Sequence, residues 1–244
     1  MEGSSDSDYL IRSIKAIKKF GFSILKMNLK NCGRGYGYAK NPYNAGDYSD
    51  LHQILKWAET SITKKILCMG FSLSANILIR YFGMMNGGPA LGFLSVSPPI
   101  DLWESARTID LPKNMIYQKQ FLITLKSKVR NRLYTMTDEQ YKMGLKSNSF
   151  IEFDNAITAP LSGYRNVYDY YQQCSGISFV SKINKPGWIL ASMDDPLIPP
   201  RAWNGYNPSS SIKTIFTKDG GHVGFHTPKD EWFQRVIVDF LKQF

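Results

Sequence analysis

Ser72, Asp195 and His222 are the residues whose types and settings can carry chemistry together. A serine hydroxyl becomes a nucleophile when an imidazole takes its proton, and a carboxylate then fixes the imidazole tautomer and stabilises the imidazolium. Each of the three follows a segment that reads as a short strand. Ile66-Leu67-Cys68-Met69 leads into Gly70-Phe71-Ser72-Leu73-Ser74, a variant of the G-x-S-x-G turn that exposes a serine where a strand hands over to a helix. Gly187–Ser192 leads into Met193-Asp194-Asp195-Pro196, and Ile212–Thr217 leads into Gly220-Gly221-His222. Serine, acid and histidine in that chain order, each at the carboxyl end of a strand, point to acyl transfer. The backbone N–H of Leu73, at the start of a helix, is placed to stabilise an oxyanion.

Two neighbouring choices have to be weighed. Asp195, four residues before Pro199, suits the turn that presents the acid, whereas Asp194 directs its side chain elsewhere. His226 stands four residues after His222, a metal-pair spacing on a helix, but Gly220, Gly221 and Gly224 oppose a helix and no third ligand is near. No metal and no cofactor are expected. His52, on an amphipathic helix, is read as a packed or surface residue.

These groups need a scaffold of buried parallel strands alternating with helices. The Ile66–Met69 run and Leu91–Val96, Gly187–Ser192 and Ile212–Thr217 read as such strands, and Phe22–Met27 reads as an earlier one. Leu10, Ile14 and Ile17 mark a helix ending near Phe20; Leu51, Ile54, Leu55 and Ala58 mark a second, and Phe233, Val236, Ile237, Phe240 and Leu241 mark the last. Between about Ile100 and Asn184 the rhythm gives way to helices and aromatic-rich loops, so 100–184 reads as a cap inserted into one domain spanning 1–244. Trp103, Tyr117, Tyr164 and Tyr170 are candidates for an apolar acyl site there, with core packing as the alternative.

The bulk composition narrows the setting. Cys32, Cys68 and Cys174 are odd in number and lack paired spacing, which suits a reducing cytosol and no disulfide framework. The acidic, polar start and the lack of any run of roughly 18 apolar residues give no signal peptide and no span. The net charge of +10 is unusual, with Lys126, Lys128, Arg130 and Arg132 crowded together. Such a run can be a solvated face or meet an anionic membrane; without interleaved aromatics, nucleic acid is not the expected partner.

GFSLSANILIRY, FIEFDNAITAPLSGYRNVYDYYQQCS, ASMDDPLIPP and GGHVGF followed by Trp232 resemble the YheT branch of the α/β-hydrolase superfamily, which holds bacterial hydrolases, plant embryogenesis-associated proteins and mammalian abhydrolase-domain lipases. The resemblance implies an α/β-hydrolase fold, a mostly parallel sheet with helices on both faces and a helical cap. It also implies Ser72 as nucleophile, Asp195 as acid and His222 as base, acting on carboxylic esters or acyl lipids. Ser74 and Ala75 replace two glycines of the pattern, and Lys30-Asn31 replaces an Arg-Gly. Relatives enter the segment resembling Glu2-Gly3-Ser4-Ser5 through a His-Gly lead and further strands, so the N-terminal strands are expected to be absent and Met1 to be left as the second oxyanion donor. A truncated, inactive remnant and a non-catalytic basic binding module are the competing expectations.

Overall fold

A computed structural model describes residues 4–225 and 231–244. In chain order its helices and strands are α1 (Asp8–Lys18), α2 (Ser49–Ser61), β1 (Leu67–Phe71), α3 (Leu73–Met85), β2 (Gly92–Val96), α4 (Leu102–Ile109), α5 (Met115–Arg130), α6 (Asp138–Lys146), α7 (Phe150–Phe153), α8 (Ala159–Leu161), α9 (Val167–Cys174), β3 (Gly187–Ser192), β4 (Ile212–Thr217) and α10 (Trp232–Leu241). The chain packs as two compact units. One is drawn from Met1–Asn44 and Ala106–Gln173, the other from Ala45–Ser105 and Cys174–Phe244.

The second unit holds the sheet, four parallel strands in the order β1-β2-β3-β4 among the described residues. Strand alternation sends Cys68, Phe93 and Ile189 to one face, where they meet Leu78, Ile79 and Phe82. On the opposite face Phe71 meets Phe233 of α10 with ring centroids 6.2 Å apart, and Trp188 meets Phe240 at 6.0 Å. Apolar residues on both faces are the reason β1, β2 and β3 read as apolar runs, whereas β4 leaves Lys213 and Phe216 exposed. Ile79, Phe82, Phe93 and Ile189 are fully buried, and each such side chain contributes about 1.5–3 kcal/mol over its exposed state.

The first unit is helical. Its expected strand at Phe22–Met27 is not one: the segment has no ladder partner among the described residues, and Phe22 and Leu25 lie exposed. A strand without a neighbour leaves its backbone N–H and C=O groups to water, and nothing then sets a register. β1 is accordingly the outermost strand of the described sheet on its side. Nor does Lys128 belong to a charged face, because it is 1% exposed, with its ammonium 5.1 Å from the Tyr43 ring centroid. It lies between Leu125 and Val129 on the buried side of α5. Tyr170 is buried with its ring 5.1 Å from both Tyr164 and Tyr171, whereas Tyr117 is exposed.

A π-helical turn at Asp154–Thr158 links α7 to α8 and buries Asp154. Burial pushes its carboxyl up to about 6 from an ordinary 3.8, although the hydroxyls of Thr158 and Tyr171 donate to it. The folded state therefore holds this proton more tightly than the unfolded chain does. Its contribution to stability is full below about pH 4 and lost as pH rises through about 6. Asp154→Asn, which stays neutral, is expected to flatten that part of the melting profile in thermal melts across about pH 4 to 8; an equally steep fall in the variant would exclude Asp154 as the cause.

Candidate active site

Ser72 occupies the turn between β1 and α3 at φ 53° and ψ −124°. Such a backbone costs on the order of 1–3 kcal/mol and persists only where its surroundings hold it. They do so in several ways. The Ser72 N–H donates to the Val96 carbonyl at 2.9 Å, and the Ser72 carbonyl accepts from the N–H groups of Ala75 and Asn76. Ser74 Oγ donates to the Phe71 carbonyl at 2.8 Å and accepts from the Phe71 N–H at 3.0 Å. Fully buried Asn76 pins the next turn of α3, accepting from the Gly176 N–H at 2.8 Å and donating to the Cys174 carbonyl at 2.9 Å.

His222 lies beyond β4 in a turn opened by Gly221, whose φ of 60° favours glycine. Its Nε2 is 2.8 Å from Ser72 Oγ and its Nδ1 is 2.9 Å from Asp195 Oδ2. Asp195, beyond β3, is buried, and its other carboxylate oxygen accepts from the N–H groups of Leu197 at 2.8 Å and Ile198 at 3.1 Å. Serine, imidazole and carboxylate thus form one hydrogen-bonded chain. With Nδ1–H donating to Asp195, the Nε2 lone pair faces the serine hydroxyl, the arrangement needed to remove its proton.

Asp194 makes different contacts. Its Oδ1 accepts from the Gly221 N–H at 2.8 Å and from the Ser192 hydroxyl, and these hydrogen bonds hold its carboxyl below the usual carboxylate range. It braces the turn that carries His222, a role sequence reading did not give it. The only signal was Ser192 two residues earlier. Leu73, the first residue of α3, is buried with its N–H at the helix start beside Ser72. Met1 and His226 lie outside the described residues. Nδ1 of His52 is 2.9 Å from the Tyr81 hydroxyl, a packing role. Burial pushes the Cys68 thiol up to about 12, which leaves it inert as a nucleophile. Among the described residues no three His, Cys, Asp or Glu side chains gather as a metal site.

A parallel sheet with helices on both faces and a serine on the strand-to-helix turn after β1 define an α/β-hydrolase fold. The solved esterase Pf2001 of Pyrococcus furiosus matches it with a TM-score of 0.64, covering 99% of this chain and 79% of that one; at 15% identity this is a likeness of fold. No family model matches the sequence. Among curated proteins the chain is 29% identical to YheT of Escherichia coli over 253 residues, covering 99% of this chain and 74% of that protein. It is 28% identical to a monoacylglycerol lipase of Saccharomyces cerevisiae over 265 residues, covering 100% of this chain and 58% of the lipase. The resemblance to the YheT branch therefore runs along nearly the whole chain. Across four curated relatives that are 24% to 29% identical to it, the chain spans 56% to 74% of the relative's length.

Proposed function

We propose that this chain is a serine hydrolase that cleaves carboxylic esters or acyl lipids through an acyl-enzyme on Ser72. The observation that carries the reading is the unbroken hydrogen-bonded chain from Ser72 Oγ through His222 to Asp195. The relative named a monoacylglycerol lipase supports an acyl-lipid substrate class. Three buried cysteines suit a reducing, cytosolic setting.

In the first half-reaction Ser72 Oγ attacks the acyl carbonyl while His222 Nε2 takes its proton. Buried Asp195 keeps Nδ1 protonated and offsets the imidazolium charge. The carbonyl oxygen turns into an oxyanion near the Leu73 N–H, where a positioned donor is worth about 100-fold or more in rate. His222 then gives its proton to the leaving alcohol oxygen, and the C–O ester bond breaks. Water, activated by the same nitrogen, releases the acid and restores Ser72.

A fluorophosphonate probe is expected to label the purified chain, and Ser72→Ala and His222→Ala are each expected to abolish labelling. Hydrolysis of short and medium p-nitrophenyl esters should disappear in the same two variants. A cooperatively melting wild-type chain that neither labels nor turns over any ester would sink the reading in favour of an inactive remnant.

A further inference from the structure

The positive charge is not spread over the molecule. The unit drawn from 1–44 and 106–173 contains 18 Lys and Arg against 9 Asp and Glu, a formal charge of +9, so nearly all of the chain's +10 resides there. Within that unit the stretch between Asp110 and Asp138 has no acidic residue, while Lys113, Lys119, Lys126, Lys128, Arg130 and Arg132 supply six cations. Lys128 is buried and Arg132 pairs with Asp138 at 3.5 Å, which leaves four. Among the described residues Lys113, Lys119, Lys126 and Arg130 make no ion pair.

Most of this stretch is α5, preceded by the turn that carries Lys113, and α5 also exposes apolar side chains. α5 buries Leu122, Leu125 and Val129, and on its other side Ile116 is 81% exposed and Ile123 is 65% exposed. A spacing of seven puts both isoleucines on one line, about 10 Å apart along the axis. Lys119, Lys126 and Arg130 follow the same line at spacings of seven and four, on one flank of it. Leu111, Met115 and Tyr117 add exposed apolar surface at the helix start. Isolated exposed isoleucines are ordinary, but a line of them bordered by unpaired cations and free of carboxylates is the pattern of a helix lying in a lipid interface.

We propose that the outer face of α5 docks on an anionic phospholipid bilayer, with Ile116 and Ile123 entering the acyl boundary and Lys113, Lys119, Lys126 and Arg130 meeting the headgroup phosphates. Charge complementarity selects this occupant: a neutral protein partner leaves the cations unpaired, and nucleic acid leaves the isoleucines in water. The inference does not depend on Ser72 being catalytic.

The test is flotation of the full chain with phosphatidylcholine vesicles and with mixed phosphatidylcholine–phosphatidylserine vesicles. The wild type is expected to float with the mixed vesicles only. Ile116→Ser with Ile123→Ser, and separately Lys119→Gln with Lys126→Gln and Arg130→Gln, are each expected to weaken that partition about tenfold or more. All five side chains are at least partly exposed, so unchanged melting temperatures check that the variants fold. Equal flotation with both vesicle types, or none with either, overturns the proposal. So does binding to a DNA duplex that survives the serine changes and is lost with the glutamine changes, which would give the charge to nucleic acid.

Discussion

Replacing Asp195 with asparagine is expected to cut kcat for ester hydrolysis by about 10⁴-fold, whereas Asp194→Asn should cost less than about tenfold. The difference follows from what each carboxylate accepts. Asp195 Oδ1 is held by the N–H groups of Leu197 and Ile198, so the asparagine carbonyl keeps that position and its NH₂ turns toward His222. An NH₂ cannot accept a proton from Nδ1. His222 then shifts to the other tautomer and presents Nε2–H to Ser72, which leaves no base for the hydroxyl. At Asp194 the acceptor facing the Gly221 N–H and the Ser192 hydroxyl survives as the asparagine carbonyl, and the turn keeps its shape. Steady-state kinetics on a p-nitrophenyl ester, with melting temperatures as the folding control, distinguish the two. A larger loss in Asp194→Asn would transfer the acid role to that residue.

What could be read beforehand depended on how local the signal was. β1, β2 and β3 announce themselves as apolar runs because they are largely buried, whereas β4 leaves Lys213 and Phe216 exposed; the observed limits of all four differ by only a residue or two from the sequence reading. β1, for example, runs Leu67–Phe71 where Ile66–Met69 was expected. The order of Ser72, Asp195 and His222 was legible for the same reason, since each follows its own strand. Phe22–Met27 has the composition of a strand but lacks a partner, and pairing is not a property of one segment. The burial of Lys128 was available in the helical spacing, because it follows Leu125 by three and precedes Val129, but its charge outweighed that spacing in the reading. The contact between Asp194 and Gly221 joins residues 27 apart and exists only once both loops are placed.

The two small positions of the turn motif separate most clearly under substitution. At Gly70 an added Cβ would lie 2.7 Å from the Ser74 carbonyl oxygen and 2.9 Å from its carbon, distances that backbone atoms do not tolerate. Leu78 Cδ1, at 2.8 Å, can yield, but the first turn of α3 cannot move without carrying Ser72 with it. Gly70→Ala is therefore expected to lower the melting temperature and to reduce kcat about 100-fold or more, since a displacement of about 1 Å at a reacting atom costs that much. Ser74 behaves oppositely, because the larger residue is accommodated and used: its hydroxyl bonds both the N–H and the carbonyl of Phe71. Ser74→Gly should cost about 1–2 kcal/mol of stability through the two lost hydrogen bonds, with activity reduced only a few-fold. Thermal melts and ester kinetics on both variants check the contrast. A fully active Gly70→Ala would show that the strand-to-helix approach has slack, and the steric account of the turn would fall with it.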